Sequence, residues 1–94
     1  MERFSAHLVG EVKLTDERWR HILDYHPDVR RFRKQIAAAL IEPETVRRST
    51  YDPKVLIFYR RATPSKYLAV VVKTNKRNFL LTSYFTERIQ HRPL

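Results

Sequence analysis

The spacing of apolar residues changes near residue 45, and this change limits the fold more than any other feature of the chain. Before it, residues at i, i+3, i+4 and i+7 mark one helical stripe: Trp19, Ile22, Leu23 and His26. A second amphipathic pattern continues to about Ile41. After residue 45, short segments rich in β-branched residues alternate with turn signals, which is typical of strands. Helices followed by strands predict an α+β fold.

Capping and breaking residues predict the ends of the two helices. Thr15 is a suitable N-cap for the first helix, and Asp16 and Glu17 place negative charge in its first turn. Pro27 ends this helix and can open the second, because its fixed φ suits a first helical turn. The second helix is predicted to stop before Pro43.

The strands are predicted over residues 45–49, 55–61, 67–74 and 79–85. Residues 6–13 are expected to form a first strand or an ordered arm, and residues 87–94 a short tail. We therefore expect residues 1–94 to form one domain, in which two N-terminal helices pack on one face of a four-stranded antiparallel meander.

The turn over residues 75–78 predicts which side chains share a sheet face. If it closes a hairpin with Thr74 opposite Phe79, alternation assigns each neighbouring side chain to one side. The residues expected on one face are Ala69, Val71, Lys73, Leu80, Thr82 and Tyr84. The opposite face is nearly all apolar and is expected to take the helices, which leaves the first face as a candidate site.

The charge of the chain points to a polyanionic partner. Nineteen Lys and Arg against ten Asp and Glu give a net charge of +9 over 94 residues, and the basic residues are spread along the chain. Such an excess favours nucleic acid, although a solubilising surface or an acidic protein partner would also explain it. The chain has no cysteine, which excludes disulfides and Cys-based metal sites. Its apolar runs are too short to span a membrane and the N-terminus lacks a signal peptide, so a cytoplasmic protein without membrane contact is expected.

Several short motifs, taken in order, resemble one nuclease family. They are Trp19–Asp28 with its HI…HP(E/D) form, then Ile41–Val46, Phe58–Arg60, Tyr67–Lys73 and Leu81–Tyr84. Together they resemble the phage-associated barnase–EndoU–colicin–RelE-like nucleases, which are small predicted ribonucleases. The resemblance covers about residues 15–86, and the C-terminal Gly and aromatic residue frequent in such proteins are absent. It implies a barnase/RelE-like fold and a toxin-like ribonuclease.

Metal-independent RNA cleavage needs a base, an acid and cations around the phosphate. His21 and His26 are candidate catalytic residues because histidine titrates near neutrality. Five positions separate them, so they point about 140° apart on a helix, although a helix end that frays at Pro27 could bring both rings towards one cleft. His26 belongs to the apolar stripe and could instead be a buried, helix-ending residue, while His21 could be a solvated surface residue.

Lys73, Thr82 and Tyr84 are the other candidate catalytic residues, because they converge on one predicted face. Each also has a structural interpretation: Lys73 can protect a sheet edge, Thr82 can be a strand former and Tyr84 can be packing. The candidate substrate-binding residues are Arg18, Arg60 and Arg61. Arg60 and Arg61 cannot be separated by sequence, because a one-residue change of register exchanges their faces.

No metal site or cofactor is expected. His21 and His26 lack the i, i+4 spacing of a helical ligand pair, and a chain with one glycine cannot form a Gly-rich phosphate loop. Three functions therefore remain: a ribonuclease toxin that acts on RNA and is neutralised by an acidic antitoxin or immunity protein, a non-catalytic RNA- or DNA-binding module, and a basic protein-interaction domain.

Overall fold

A computed structural model describes residues 1–94 as two helices against one seven-stranded sheet. The strands are β1 (Glu2–Ala6), β2 (Gly10–Leu14), β3 (Thr45–Arg48), β4 (Val55–Thr63), β5 (Lys66–Lys73), β6 (Asn78–Thr86) and β7 (Arg92–Pro93). The helices are α1 (Asp16–Tyr25) and α2 (Arg33–Ile41), with a 3₁₀ turn at Pro27–Val29 between them. No helix is both long enough and apolar enough to cross a membrane.

The predicted four-stranded antiparallel meander is wrong. The sheet is mixed, with the order β1-β2-β6-β5-β4-β3-β7. Its extra strands come from the N-terminal hairpin and from the C-terminal end of the chain, neither of which has a strong strand pattern of its own. The hairpin β1–β2 turns through Leu8 and Gly10, with φ of 73° and 82°. Gly10 adopts this left-handed conformation at no steric cost.

The hairpin joins the sheet through the one parallel pairing. Val12 of β2 lies opposite Asn78 of β6, and Lys13 lies opposite Phe79. The side-chain Nδ2 of Asn78 donates to the carbonyl oxygens of Val9 (2.9 Å) and Glu11 (3.2 Å). Since these bonds connect residues almost seventy positions apart, they could not be predicted from local pattern.

Helix α1 begins and ends at the predicted capping and breaking residues. The Oγ1 of Thr15 accepts the amide of Arg18 at 3.1 Å, which caps α1. His26 follows the helix as its C-cap, directly before Pro27. The region between the helices is the 3₁₀ turn rather than a second helix opened by Pro27, and α2 begins only at Arg33.

One face of the sheet, here named the core face, packs against both helices. The largest fully buried side chains of this core include Leu14, Ile22, Ile36, Leu40, Phe58, Leu68 and Leu80. The opposite face, here named the second face, has a smaller cluster of four buried residues: Val55, Ile57, Tyr59 and Ala69.

A β-bulge between β5 and β6 changes the predicted register. Val71 lies opposite Thr82 as predicted, but Val72 rather than Lys73 lies opposite Leu80. The extra residue is Leu81, which packs on the second face, while Leu80 is fully buried in the core. The prediction that Leu80 shares a face with Lys73 was therefore wrong.

Candidate functional site

Two tyrosines from different strands meet on the second face. Tyr59 of β4 and Tyr84 of β6 both lie opposite Ala69 of β5, so the three residues form one row across the sheet. Ala69 is fully buried and has only a methyl group. Because it fills so little of the space above β5, the two phenol rings can approach each other over it. We name this arrangement the Tyr59–Tyr84 pair.

The hydroxyls of this pair are held in the neutral form. Burial raises the pKa of Tyr59 above its usual value, and burial followed by the proximity of Tyr59 raises the pKa of Tyr84. A phenol with a raised pKa keeps its proton at neutral pH. Both residues can therefore donate a hydrogen bond or a proton, and neither is suited to act as a base.

His26 lies against this pair at the edge of β6. Its ring centroid is 5.6 Å from that of Tyr84, with the planes tilted by 35°. Strand β2 pairs with β6 only at Asn78 and Phe79, so the rest of this edge has no strand neighbour. Helix α1 and the 3₁₀ turn after it both contact β6, and the half-buried His26 lies between these two elements. An imidazole and a neutral phenol are thus adjacent.

Arg47 adds a cation to the second face. It lies on β3 opposite Ile57, two residues from Tyr59 along β4, and its charge acts to lower the pKa of Tyr59 against the larger effect of burial. Its Nε is buried without a hydrogen-bond partner, and no carboxylate forms an ion pair with it.

Residues 87–94, here named the C-terminal segment, cross the second face. The chain leaves β6 at Thr86 and returns to the sheet beside β3, so it must pass over β5 and β4. Ile89 packs on the second-face cluster, and the amide of Gln90 donates to the Tyr59 hydroxyl at 3.4 Å. Farther along, the Thr50 amide donates to Nδ1 of His91 at 3.3 Å. The C-terminal segment was predicted to be a short tail, but it covers part of the second face. Tyr59 beneath it is only 1% exposed.

Lys73 and Thr82 lie on the second face but at different distances from the Tyr59–Tyr84 pair. Thr82 lies opposite Val71, next to the tyrosine row. Lys73 lies four positions beyond Ala69 on β5, which is about 13 Å along a strand. Its ammonium forms an ion pair with Asp52, and this bond is the main reason that the pKa of Asp52 is lowered. Lys73 therefore has a structural partner, separate from the tyrosines.

His21 and Arg18 lie together elsewhere, on the outer side of α1. Both line an open groove that also contains Arg20, Asp24 and Arg30. The imidazole of His21 packs edge-on against Tyr25, with 5.2 Å between ring centroids. The two histidines thus belong to different surfaces, and the helix end does not bring them into one cleft.

Arg60 and Arg61 point to opposite faces of β4, and each already has protein partners. Nη1 of Arg60 donates to the carbonyl of Glu42 at 2.6 Å. Arg61 donates from Nη1 to the carbonyl of Pro64 at 2.8 Å and from Nη2 to the hydroxyl of Tyr67 at 2.6 Å.

Sequence reasoning missed Tyr59 and Arg47. The signal for Tyr59 was present, since the turn at Thr63–Ser65 pairs β4 with β5 and could have placed Tyr59 opposite Ala69. The register across that turn was left open by one residue, so the sequence did not show that Tyr59, Ala69 and Tyr84 lie in one row. For Arg47 there was no comparable signal, because its cross-strand neighbour Pro93 belongs to the distant C-terminal segment.

Comparisons of the chain with protein-family models, curated proteins and solved structures found no match. The resemblance to the barnase–EndoU–colicin–RelE-like nucleases therefore stays a prediction from the motifs. No group of three or more His, Cys, Asp or Glu side chains is placed to hold a metal ion.

Proposed function

We propose that the protein is a metal-independent ribonuclease that cleaves RNA at the junction of α1 and β6. The observation that carries the proposal is the contact between His26 and Tyr84, which places an imidazole, the side chain most often used for proton transfer, beside a neutral phenol. Arg47 on the same sheet face and the net charge of +9 support a phosphodiester as the substrate.

The reaction uses the RNA's own 2′-hydroxyl as the nucleophile. His26 takes the proton of this hydroxyl while its oxygen forms a bond to the adjacent phosphorus. The bond from phosphorus to the 5′-oxygen breaks, and Tyr84 gives its proton to that oxygen. The products are a 2′,3′-cyclic phosphate and a free 5′-hydroxyl, and exchange with water then restores both side chains.

Cleavage in the presence of EDTA tests this assignment. We expect purified protein to cleave RNA in EDTA and to leave 2′,3′-cyclic phosphate ends. The substitutions His26→Ala and Tyr84→Phe are each expected to reduce the rate by about 10²–10⁴-fold, which is the usual contribution of a positioned proton-transfer group. His7→Ala is the matched control, since His7 is exposed on the β1–β2 turn.

Two outcomes contradict the assignment. If the wild type does not cleave RNA, or if both substitutions leave the rate unchanged in folded protein, the proposed site is wrong. The same assay on His21→Ala and Lys73→Ala compares the other candidates. A loss confined to these variants would move the reaction away from His26 and Tyr84.

The cellular role that we propose is that of a cytoplasmic toxin neutralised by an acidic antitoxin or immunity protein. An acidic partner complements the net charge of +9, and such complementarity speeds association. Growth arrest on expression, relieved by the product of a neighbouring gene, is the expected result. Normal growth despite abundant folded protein would argue against the toxin role.

A second candidate function is RNA binding without cleavage. Tyr25 and Tyr51 are 71% and 91% exposed on a strongly basic protein. Exposed aromatic rings among basic residues are platforms on which unpaired bases stack. Salt-dependent binding of single-stranded RNA that weakens in Tyr25→Ala and Tyr51→Ala, with no cleavage by the wild type, would favour this function over the ribonuclease.

A further inference from the structure

Arg47 has a buried donor without an acceptor. The atom is Nε, enclosed on the second face, and no hydrogen bond or ion pair satisfies it. A buried polar group left unpaired costs about 1–3 kcal/mol, and more when it is charged. Most such groups in folded proteins have a partner, so this one requires an explanation.

No carboxylate forms an ion pair with Arg47, and its charge acts on the phenol of Tyr59 on the neighbouring strand. Tyr59 and Tyr84 keep their protons, and the Gln90 amide already donates to the oxygen of Tyr59. The one acidic side chain of the C-terminal segment, Glu87, is exposed and forms no ion pair. A site with a guanidinium and two phenolic hydroxyls has the composition that binds a phosphate group, because each of its oxygens is an acceptor.

We propose that Arg47, Tyr59 and Tyr84 form a phosphate-binding subsite that the C-terminal segment covers in the free protein. The inference rests on the proposed function insofar as the phosphate belongs to the RNA backbone. The Arg47 guanidinium supplies the charge and the Nε donor, and the hydroxyls supply the remaining hydrogen bonds. Because Tyr84 also contacts His26, a phosphate bound to the Tyr84 hydroxyl is at the proposed site of cleavage.

Few interactions hold the C-terminal segment to the sheet. Its strand β7 pairs with β3 at only two positions, Pro93 opposite Arg47 and Arg92 opposite Arg48. Its main apolar anchor is Ile89, and His91 has a φ of 73° that is uncommon for a residue other than glycine. A segment with so few buried contacts opens more readily than the rest of the fold. Pro93 is the cross-strand neighbour of Arg47, so displacement of β7 uncovers the edge of β3 at this residue.

Titration of the full chain with inorganic phosphate tests the subsite without requiring any RNA cleavage. The readout is the NMR signal of the Arg47 Nε–H, assigned by its absence in Arg47→Gln. We expect phosphate to shift this signal at a lower concentration than the Nε–H of any other arginine, and chloride at equal ionic strength to leave it unchanged. The phosphate affinity of Arg47→Gln should fall about ten-fold or more, in line with the loss of a charge-assisted hydrogen bond.

Arg48→Gln is the matched control, since it removes the same charge from the next position of β3 on the opposite face. It should keep the wild-type affinity and the Arg47 shift. A uniform shift of all arginine signals, an equal shift with chloride, or equal losses in Arg47→Gln and Arg48→Gln would overturn the subsite. If Arg47→Gln fails to fold, the Arg47 Nε–H signal is assigned by through-bond correlation to the Arg47 backbone, and the wild-type titration then decides.

An RNA cleavage assay on the wild type and Arg47→Gln separates this inference from the proposed function. Specific phosphate binding at Arg47 without RNA cleavage would support the subsite and count against the ribonuclease. Cleavage that needs His26 and Tyr84 but is unchanged in Arg47→Gln would support the ribonuclease and overturn the subsite as its phosphate contact.

Discussion

Ala69 determines where the polar groups of the second face meet. It lies between Tyr59 and Tyr84 in one row across three strands and is fully buried. A larger side chain at this position would occupy the space in which the two phenols approach each other. The candidate site thus depends on a residue that has no functional group.

The carboxylate of Asp52 is predicted to make the stability of the protein depend on pH. The carboxylate accepts the Lys73 ammonium and the Lys54 amide, and these bonds lower its pKa from 3.8. The folded-state pKa lies below the unfolded value, so the stabilisation is complete above pH 3.8 and is lost as the pH falls through the folded-state pKa. Asp52→Asn should therefore be less stable than wild type at neutral pH, and the difference should disappear in acid.

Urea unfolding of both proteins between neutral and acidic pH measures this difference. Asp28→Asn serves as the control, because Asp28 is exposed and forms no ion pair. If the free energy of unfolding of Asp52→Asn stays below that of the wild type by the same amount at low pH, the charge of the carboxylate is not the cause of the difference.

At the scale of elements, the bulge in β6 allows one strand to serve two hydrophobic clusters. Leu80 and Leu81 are adjacent in sequence, yet the first is buried in the core and the second packs on the second face. Beyond the bulge the alternation resumes, with Ser83 on the core face and Tyr84 on the second face. The buried hydroxyl of Ser83 donates to the Ala69 carbonyl at 2.8 Å, so it is satisfied despite its apolar surroundings.

The C-terminal segment is predicted to open independently of the rest of the fold. Ile89→Ser removes its apolar anchor and should lower the free energy of unfolding by only about 1 kcal/mol, because the side chain is half-buried. We expect faster amide hydrogen exchange in residues 87–94 and at Thr50, measured by mass spectrometry. Ile41→Ser, which alters an exposed residue at the end of α2, is the control. Equal acceleration throughout the sheet would mean that the segment unfolds only with the whole protein.

For the whole molecule, the excess of positive charge remains after the ion pairs are formed. Side-chain ion pairs join Arg3 to Glu11, Arg33 to Glu2 and Lys73 to Asp52, which accounts for three of nineteen Lys and Arg residues. Most of the others are exposed on a molecule whose axes measure 31 × 28 × 23 Å. This charge density is the basis on which we propose a polyanionic partner, and it makes salt dependence the test of that proposal.

Binding of single-stranded RNA should weaken steeply with salt. If the basic surface neutralises about three to five phosphates, the slope of log K against log[salt] is roughly −2 to −3.5. The affinity then falls by roughly 20- to 100-fold between about 50 and 200 mM salt. Fluorescence anisotropy with His26→Ala measures binding without interference from cleavage. An affinity independent of salt would exclude the phosphate backbone as the main contact.

The sequence by itself determined the features that depend on near neighbours. The stripe of α1, its Thr15 cap, its end at Pro27 and the positions of the central strands follow from residues within a few positions of one another, because caps, turns and alternation are local effects. The same reasoning separated His21 from His26 and identified the excess of charge.

The tertiary structure alone decided which distant segments pair and which side chains meet. The parallel contact of β2 with β6, the bulge at Leu81 and the path of the C-terminal segment each join residues far apart in sequence. A shift of register by one residue exchanges the faces of a strand, and several registers satisfy the local pattern equally well. For this reason Tyr84 was predicted at the site from sequence, whereas its neighbour Tyr59, and Arg47 beyond Tyr59, became apparent only in the folded chain.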